Sequence, residues 1–244
     1  ESEPGIRLFV REIKASMKEE QGSPVLLIHG GGPGSVPNFD PTVPHYSLAE
    51  DIASAGYFVY MMDVRGFGKS AGKSSPVSAD EALKDITAVV DWILRRCRDD
   101  RVALVGFGAG GHWAALYTAR NRDKVSRLVL LNVLYGVKAP WPAGRAFEDP
   151  MKPGAFNPAA GGVTLADPAS LLADWDRAIP DADKTKWRDP RVGAAYVKLS
   201  LADAAPDGLR IPGAFRREHF EMAQGKKIWD AKDIRVPTLY ARGT

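Results

Sequence analysis

The chain has 244 residues, of which 45% are hydrophobic and 26% charged, and it carries a formal net charge of +3. A chain of this size and composition can bury a large core, which excludes an intrinsically disordered protein and predicts one globular domain with an inserted lobe. No basic cluster is interleaved with stacking aromatics, no apolar run reaches the roughly 18 to 20 residues of a membrane span, and the N-terminus lacks a signal-peptide pattern. We therefore expect no nucleic-acid or membrane partner and a soluble protein, cytoplasmic rather than periplasmic or secreted.

Short apolar runs alternate with helix signals over the first half of the chain. Residues 78–97 repeat apolar side chains at helical spacing behind a Ser78–Glu81 capping pair, and a helix over residues 45–56 ends in a glycine. Continuous apolar strands separated by amphipathic helices predict a mostly parallel sheet flanked by helices, an α/β fold. The predicted strands are residues 6–13, 24–30, 57–63, 101–107 and 127–133.

The composition of the sequence changes after residue 135. Residues 136–230 are rich in proline and tryptophan, with helix starts at Asp167-Pro168 and Asp189-Pro190, and they predict an inserted, mostly helical cap. Residues 231–244 return to strand character in "VPTLYA". The predicted organisation is a core over residues 1–135, the cap, and a return to the core.

Three glycine-rich motifs follow predicted strands. "LLIHGGGPG" (26–34) places glycines after a buried strand, where backbone N–H groups can point at an anionic oxygen without a Cβ in the way. "DVRGFGKS" (63–70) predicts a tight loop, in which Asp63 and Arg65 form a salt-bridged exit from the strand. "GFGAG" (106–110) predicts a strand-to-helix elbow.

The order and spacing of these motifs resemble the α/β-hydrolase fold family over nearly the whole chain. The similarity is to the capped branch with an HGGGPG loop and a G-x-S-x-G elbow, as in prolyl iminopeptidases, carbon–carbon bond hydrolases and related esterases. The resemblance implies oxyanion-hole donors at Gly31 or Gly32 and at Ala109, and it gives Gly108 the place of the nucleophile.

The same resemblance implies a small-molecule substrate held between core and cap, with no cofactor. We also expect no metal, because no pair of histidines has metal-ligand spacing with a nearby carboxylate. In that pocket we expect substrate contacts from four residues of the oxyanion loop, the elbow and the cap. They are His29, Phe107, Trp141 and Trp175.

Gly108 is the first departure from the family pattern. Glycine relieves the strain of a positive φ, but loss of a triad nucleophile costs about 10⁶ in turnover, so we expect a nearly inactive chain. One interpretation is a hydrolase of an ester, amide, lactone or C–C bond next to a carbonyl, in which serine was replaced to trap a substrate. The alternative is a natural ligand-binding or interaction protein on a hydrolase scaffold. A dinucleotide-binding reading would leave the elbow without an explanation.

The second departure concerns the acid and the histidine of the triad. In the family these follow the seventh and eighth strands, which would put both beyond Thr244. We therefore expect the C-terminal strand and helix to be missing from the chain, with a separate fragment as one possible source of both residues. Among the histidines, His29 and His112 are predicted to be structural and His45 and His219 to be surface or cap residues. A further expectation is that Arg216 lies on a solvated helix face.

Overall fold

A six-stranded sheet forms the centre of the protein. The computed structural model of the chain describes residues 1–14, 22–70, 76–138 and 141–243. The strands in these ranges are β1 (Val10–Ile13), β2 (Pro24–Ile28), β3 (Phe58–Met62), β4 (Val102–Phe107), β5 (Val125–Leu131), β6 (Glu148–Asp149), β7 (Lys152–Phe156), β8 (Thr164–Ala166), β9 (Leu209–Ile211) and β10 (Thr238–Ala241). The α-helices are α1 (Ser35–Phe39), α2 (Leu48–Ser54), α3 (Ala79–Cys97), α4 (Ala109–Arg120), α5 (Pro168–Ala178), α6 (Pro190–Leu201) and α7 (Ala214–Ala223).

The strand order in the central sheet is β1-β3-β2-β4-β5-β10. β1 runs antiparallel to β3, and every other neighbouring pair is parallel. The predicted mostly parallel sheet is therefore confirmed. The first strand is shorter than residues 6–13, because only Val10–Ile13 pair with β3.

Helices cover both faces of this sheet, as parallel strands require. On one face α3 buries Ile86, Val90 and Ile93 completely against the strands. Its N-terminus carries the predicted capping box, in which Ser78 and Glu81 accept each other's backbone N–H groups. α1 and α2 pack on the opposite face. No helix in the described ranges is long and apolar enough to cross a membrane.

Residues 136–230, called the cap segment below, leave the central sheet between β5 and β10. They hold α5, α6 and α7, and Asp167 and Asp189 cap the first two of these helices as the sequence predicts. They also form two small antiparallel sheets, β6–β7 and β8–β9, which the sequence analysis did not predict. Those strands have only two to five residues, too few for an alternating pattern to stand out.

Candidate active site

The centre of the candidate site is a sharp turn between β4 and α4. β4 ends at Phe107, Gly108 has φ 52° and ψ −116°, and α4 begins at Ala109. The Gly108 N–H donates to the carbonyl of Leu131 at 2.9 Å, and the Gly108 carbonyl accepts from the N–H of His112 at 3.2 Å. As the first helical residue, Ala109 has an N–H with no acceptor inside α4. The predicted strand–elbow–helix geometry is present.

The elbow glycines differ in the space around them. A Cβ atom added to Gly106 would lie 2.4 Å from the Cα of Gly111, and one added to Gly110 would lie 2.2 Å from the carbonyl oxygen of His29. At Gly108 the nearest heavy atom is the Cα of Gly30, 3.9 Å away. Glycine is therefore required by close packing at 106 and 110, whereas position 108 has room for a side chain and only its positive φ favours glycine.

His29 orients the predicted oxyanion loop. Its ring is fully buried; Nε2 accepts from the N–H of Val64 at 3.1 Å, which leaves the proton on Nδ1 to be donated to the carbonyl of Gly30 at 2.7 Å. The carbonyl of Gly30 and the N–H of Gly31 belong to one planar trans peptide, so this bond fixes the direction of the Gly31 N–H. Burial lowers the pKa of His29 and keeps the ring neutral. Neither ring nitrogen is left for a substrate.

Asp63 stabilises the C-terminal end of the same loop, at Ser35. Its carboxylate accepts from the N–H of Ser35 at 2.6 Å and from the N–H of Lys69 at 2.9 Å. The predicted exit from β3 is thus structural, but Asp63 and Arg65 do not pair as expected. Arg65 instead binds Asp85 on α3, whereas Asp63 binds backbone N–H groups of the two loops that follow β2 and β3.

The cap segment lies directly over the oxyanion loop. A Cβ atom on Gly31 would lie 2.2 Å from the ring of Phe215 on α7, and one on Gly32 would lie 3.7 Å from the hydroxyl of Tyr196 on α6. The Phe107 ring approaches the third loop glycine, Gly30, from the end of β4. Sequence reasoning missed Phe215 and Tyr196, because their proximity to the loop depends on how the cap segment folds back.

The predicted tryptophans lie in separate parts of the cap segment. Trp141 packs against the rings of Phe147 and His219, with centroid distances of 5.4 and 6.0 Å, and lines a cleft that is described below. Trp175 is 37% exposed and lies under the guanidinium of Arg188. Its edge contacts Tyr196, whose hydroxyl reaches the oxyanion loop, so Trp175 is one residue removed from that loop.

A buried polar cluster joins α4 to α7 beside the elbow. His112 Nδ1 accepts from the indole N–H of Trp229 at 3.1 Å, and His112 Nε2 lies 3.3 Å from a carboxylate oxygen of Glu218. The other oxygen of Glu218 accepts from the N–H of Ala79, the first residue of α3. This confirms a packing role for His112. Sequence reasoning missed Glu218, since nothing local links it to α3 or α4.

Arg216, on the same helix, corrects a sequence expectation. Its side chain is buried rather than solvated, and it donates to the carbonyls of Ala160 and Gly162 and to the hydroxyl of Thr164. Burial lowers its pKa. Arg216 thus holds α7 to residues 160–164, which end at the first residue of β8.

His219 makes the stability of the protein sensitive to acid. Burial, helped by nearby His112, lowers the pKa of His219 from 6.5 to about 3. The unfolded chain therefore binds this proton more readily, and the stabilisation present above pH 6.5 is lost as the pH falls toward 3. Between pH 7 and pH 5 we expect His219 to account for about 2 kcal/mol of lost unfolding free energy.

Urea unfolding at pH 7 and pH 5 tests this. The His219→Phe variant should show a pH-dependent loss smaller by that amount, because His29 and the carboxylates contribute equally in both proteins. Replacing the exposed His45 by Phe serves as the matched control and should leave the loss unchanged. Equal losses in wild type and His219→Phe would contradict the prediction.

The glycine loop that starts at Gly30 and the Gly108–Ala109 elbow thus lie at the carboxyl ends of two neighbouring strands, β2 and β4, with the Cα of Gly30 3.9 Å from the Cβ position of Gly108. Within the described residues, no three His, Cys, Asp or Glu side chains are arranged to hold a metal ion. A strand–elbow–helix beside a glycine loop under an inserted segment is the arrangement of hydrolases that act through an oxyanion.

A family model described as the alpha/beta hydrolase fold matches residues 24–167, more than half of the chain. The chain belongs to the α/β-hydrolase fold family.

Individual relatives match a smaller part of the chain. A 2-hydroxy-6-oxononadienedioate/2-hydroxy-6-oxononatrienedioate hydrolase from Paraburkholderia xenovorans (strain LB400) is 32% identical over 110 residues, which are 44% of this chain and 35% of that protein. A 2-hydroxy-6-oxo-6-(2'-aminophenyl)hexa-2,4-dienoic acid hydrolase from Metapseudomonas resinovorans is 32% identical over 113 residues, 46% of this chain and 36% of that protein. The matched region thus spans about a third of the length of these curated relatives.

Solved structures extend the similarity of the fold. The enol-lactonase from Burkholderia xenovorans LB400 superposes with a TM-score of 0.60 at 19% identity, covering 97% of this chain and 78% of that one. A thermophilic esterase from Thermogutta terrifontis superposes with a TM-score of 0.61 at 18% identity, covering 97% and 74%. At these identities the similarity establishes the fold alone.

Proposed function

We propose that this chain carries the nucleophile elbow and oxyanion hole of a serine-type hydrolase, with glycine in the nucleophile's place. The parent reaction is attack of a hydroxyl on a carbonyl carbon, followed by transfer of the acyl group to water. The substrate class we propose is an ester, a lactone or a C–C bond next to a carbonyl. The named activities of the curated relatives, which are hydrolases of 2-hydroxy-6-oxo dienoic acids, support a hydrolytic reaction.

The observation that carries the proposal is the open space at Gly108. Packing demands glycine at 106, 110 and 111, where an added Cβ would lie 2.2 to 2.4 Å from its nearest neighbour. Gly108 differs from these three, with 3.9 Å of clearance at its Cβ position. The Cβ of a serine at 108 would enter this space without displacing a neighbouring atom.

The surrounding groups suit the developing charge of such a reaction. An oxyanion formed above residue 108 can accept from the N–H of Ala109 at the N-terminus of α4, where the helix dipole also favours negative charge. The N–H of Gly31, whose direction His29 fixes, supplies the second donor. Donors that are fixed in advance need no reorganisation during the reaction, which is the main source of catalysis by an oxyanion hole.

The proton of a serine at 108 has to go to a base other than His29 or His112. His29 uses both ring nitrogens for backbone partners, and His112 lies between Trp229 and Glu218. We therefore propose that a group other than His29 and His112 serves as the general base. A triad that lacks its nucleophile retains only weak catalysis, so the chain with Gly108 is expected to be nearly inactive.

The test is Gly108→Ser in the full natural polypeptide, assayed with p-nitrophenyl esters, a lactone and a 2-hydroxy-6-oxo dienoate. We expect turnover to rise at least about 10³-fold over the Gly108 protein for one substrate class. Gly108→Ala is the matched control, since it adds the same Cβ without a hydroxyl, and it should stay at background. A folded Gly108→Ser protein that hydrolyses none of the panel would favour the alternative, a ligand-binding protein on a hydrolase scaffold.

A further inference from the structure

A cleft opens in the cap segment, between residues 142–147 and α7. Its volume is about 410 Å³, within the range of small-molecule sites. We call it the Trp141 cleft; it is lined chiefly by Lys138, Trp141, Arg145, Glu148, Phe220 and Gln224. Neither the elbow nor the oxyanion loop contributes a lining residue.

The indole of Trp141 is held firmly as one wall of this cleft. A Cβ atom on Gly144 would lie 3.0 Å from the ring, so the glycine allows the turn to close directly onto the indole. The rings of Phe147 and His219 pack around the same indole. Phe220, from α7, adds a second aromatic ring to the lining. The cleft therefore offers a fixed aromatic surface, which suits a flat ligand.

Two cations at the cleft, Lys138 and Arg145, lack a partner among the described residues. The side chains of Lys138 and Arg145 are exposed and make no ion pair or hydrogen bond with any residue that the structure describes. Several other cations of the cap segment are paired, for example Arg188 with Asp176 and Arg210 with Asp207.

The other two polar side chains of the lining, Glu148 and Gln224, bind the backbone of Gly154. Glu148, the single carboxylate of the lining, accepts from the N–H of Gly154, and the side-chain amide of Gln224 donates to the Gly154 carbonyl at 2.9 Å. With two cations against one carboxylate, the lining carries a net charge of +1.

We propose that the Trp141 cleft binds a planar aromatic or conjugated carboxylate. The flat frame stacks on the indole, and the carboxylate reaches Lys138 and Arg145, of which the guanidinium can accept it in a two-point contact. The proposal does not depend on hydrolysis at residue 108, so either can fail without the other.

Isothermal titration at low salt with 2-naphthoate tests the site, with 2-naphthamide as the neutral probe of the same shape. We expect saturable binding of 2-naphthoate with a Kd of about 1 mM or below, and binding of the amide at least about tenfold weaker. Raising the salt to about 1 M should weaken the binding of 2-naphthoate alone, because it screens the exposed cations.

Variants locate the site. The Lys138→Gln/Arg145→Gln pair should weaken 2-naphthoate binding at least about tenfold, and Trp141→Leu should do the same with both cations in place. The matched control is Arg101→Gln/Lys198→Gln, which removes two exposed cations elsewhere and should leave the affinity unchanged. The proposal is overturned if wild type shows no saturable binding, if the amide binds as well as the carboxylate, or if the control pair loses as much affinity as the cleft pair.

Discussion

Gly110→Ala is expected to lower the free energy of unfolding by about 3 kcal/mol or more, the upper part of the range for forcing an atom into a packed core. The added Cβ would lie 2.2 Å from the carbonyl oxygen of His29 and 2.4 Å from that of Ile28. One oxygen belongs to the last residue of β2 and the other to the buried residue directly after it, so the backbone at the end of the strand would have to move. Alanine is otherwise a better helix former than glycine, which makes a large loss the more diagnostic.

Two glycines with positive φ serve as controls. Gly108→Ala has clearance at its Cβ, and Gly154→Ala in the cap segment meets no atom within 4 Å, so each should cost only about 1 kcal/mol for backbone strain. Urea unfolding of the three variants measures the difference. If Gly110→Ala and Gly108→Ala lose the same stability, the assignment of close packing to 110 and of open space to 108 is wrong.

This contrast bears on what the sequence reveals about the site. The spacing of glycines in "GFGAG" predicts an elbow, and the elbow is present with Gly108 at its apex. The sequence alone does not show which glycine is required by packing, because positions 108 and 110 carry the same residue type. The atoms of β2 that distinguish them lie about 80 residues earlier in the chain.

The parts of the fold that could be predicted are those set by residues close together in the sequence. Apolar runs set the parallel strands, and capping residues such as Ser78, Asp167 and Asp189 set the starts of helices. The parts that could not be predicted depend on distant contacts. Phe215 and Arg216 are examples. They are adjacent on α7, yet Phe215 lies over the oxyanion loop and Arg216 is buried against Thr164.

Asp63 and Arg65 show the same limit inside a motif that was recognised. Their types and spacing indicate a structural loop, and the loop is structural. The partner of Arg65 is nevertheless Asp85, on the middle of α3, which no spacing rule within "DVRGFGKS" can supply.

Asp85→Ala is expected to cost about 3–5 kcal/mol, as measured when one partner of a buried ion pair is removed. The Asp85 side chain is fully buried and accepts from the backbone N–H of Arg65 at 2.8 Å and from its guanidinium at 2.7 Å, as well as from the hydroxyl of Ser2. Without the carboxylate, Arg65 keeps a charge that is only 10% exposed, with Glu3 as its remaining anion.

Asp80→Ala is the matched control for that variant, because Asp80 also lies on α3 and pairs with an arginine, Arg120. Both of those side chains are more than half exposed, so the loss should stay below about 1 kcal/mol. A double variant, Arg65→Met/Asp85→Leu, should regain part of the Asp85→Ala loss by removing the buried charge. It should not regain all of it, since the N–H of residue 65 still lacks the acceptor that Asp85 provides. Equal losses for Asp85→Ala and Asp80→Ala would show that burial does not set the strength of the Arg65–Asp85 pair.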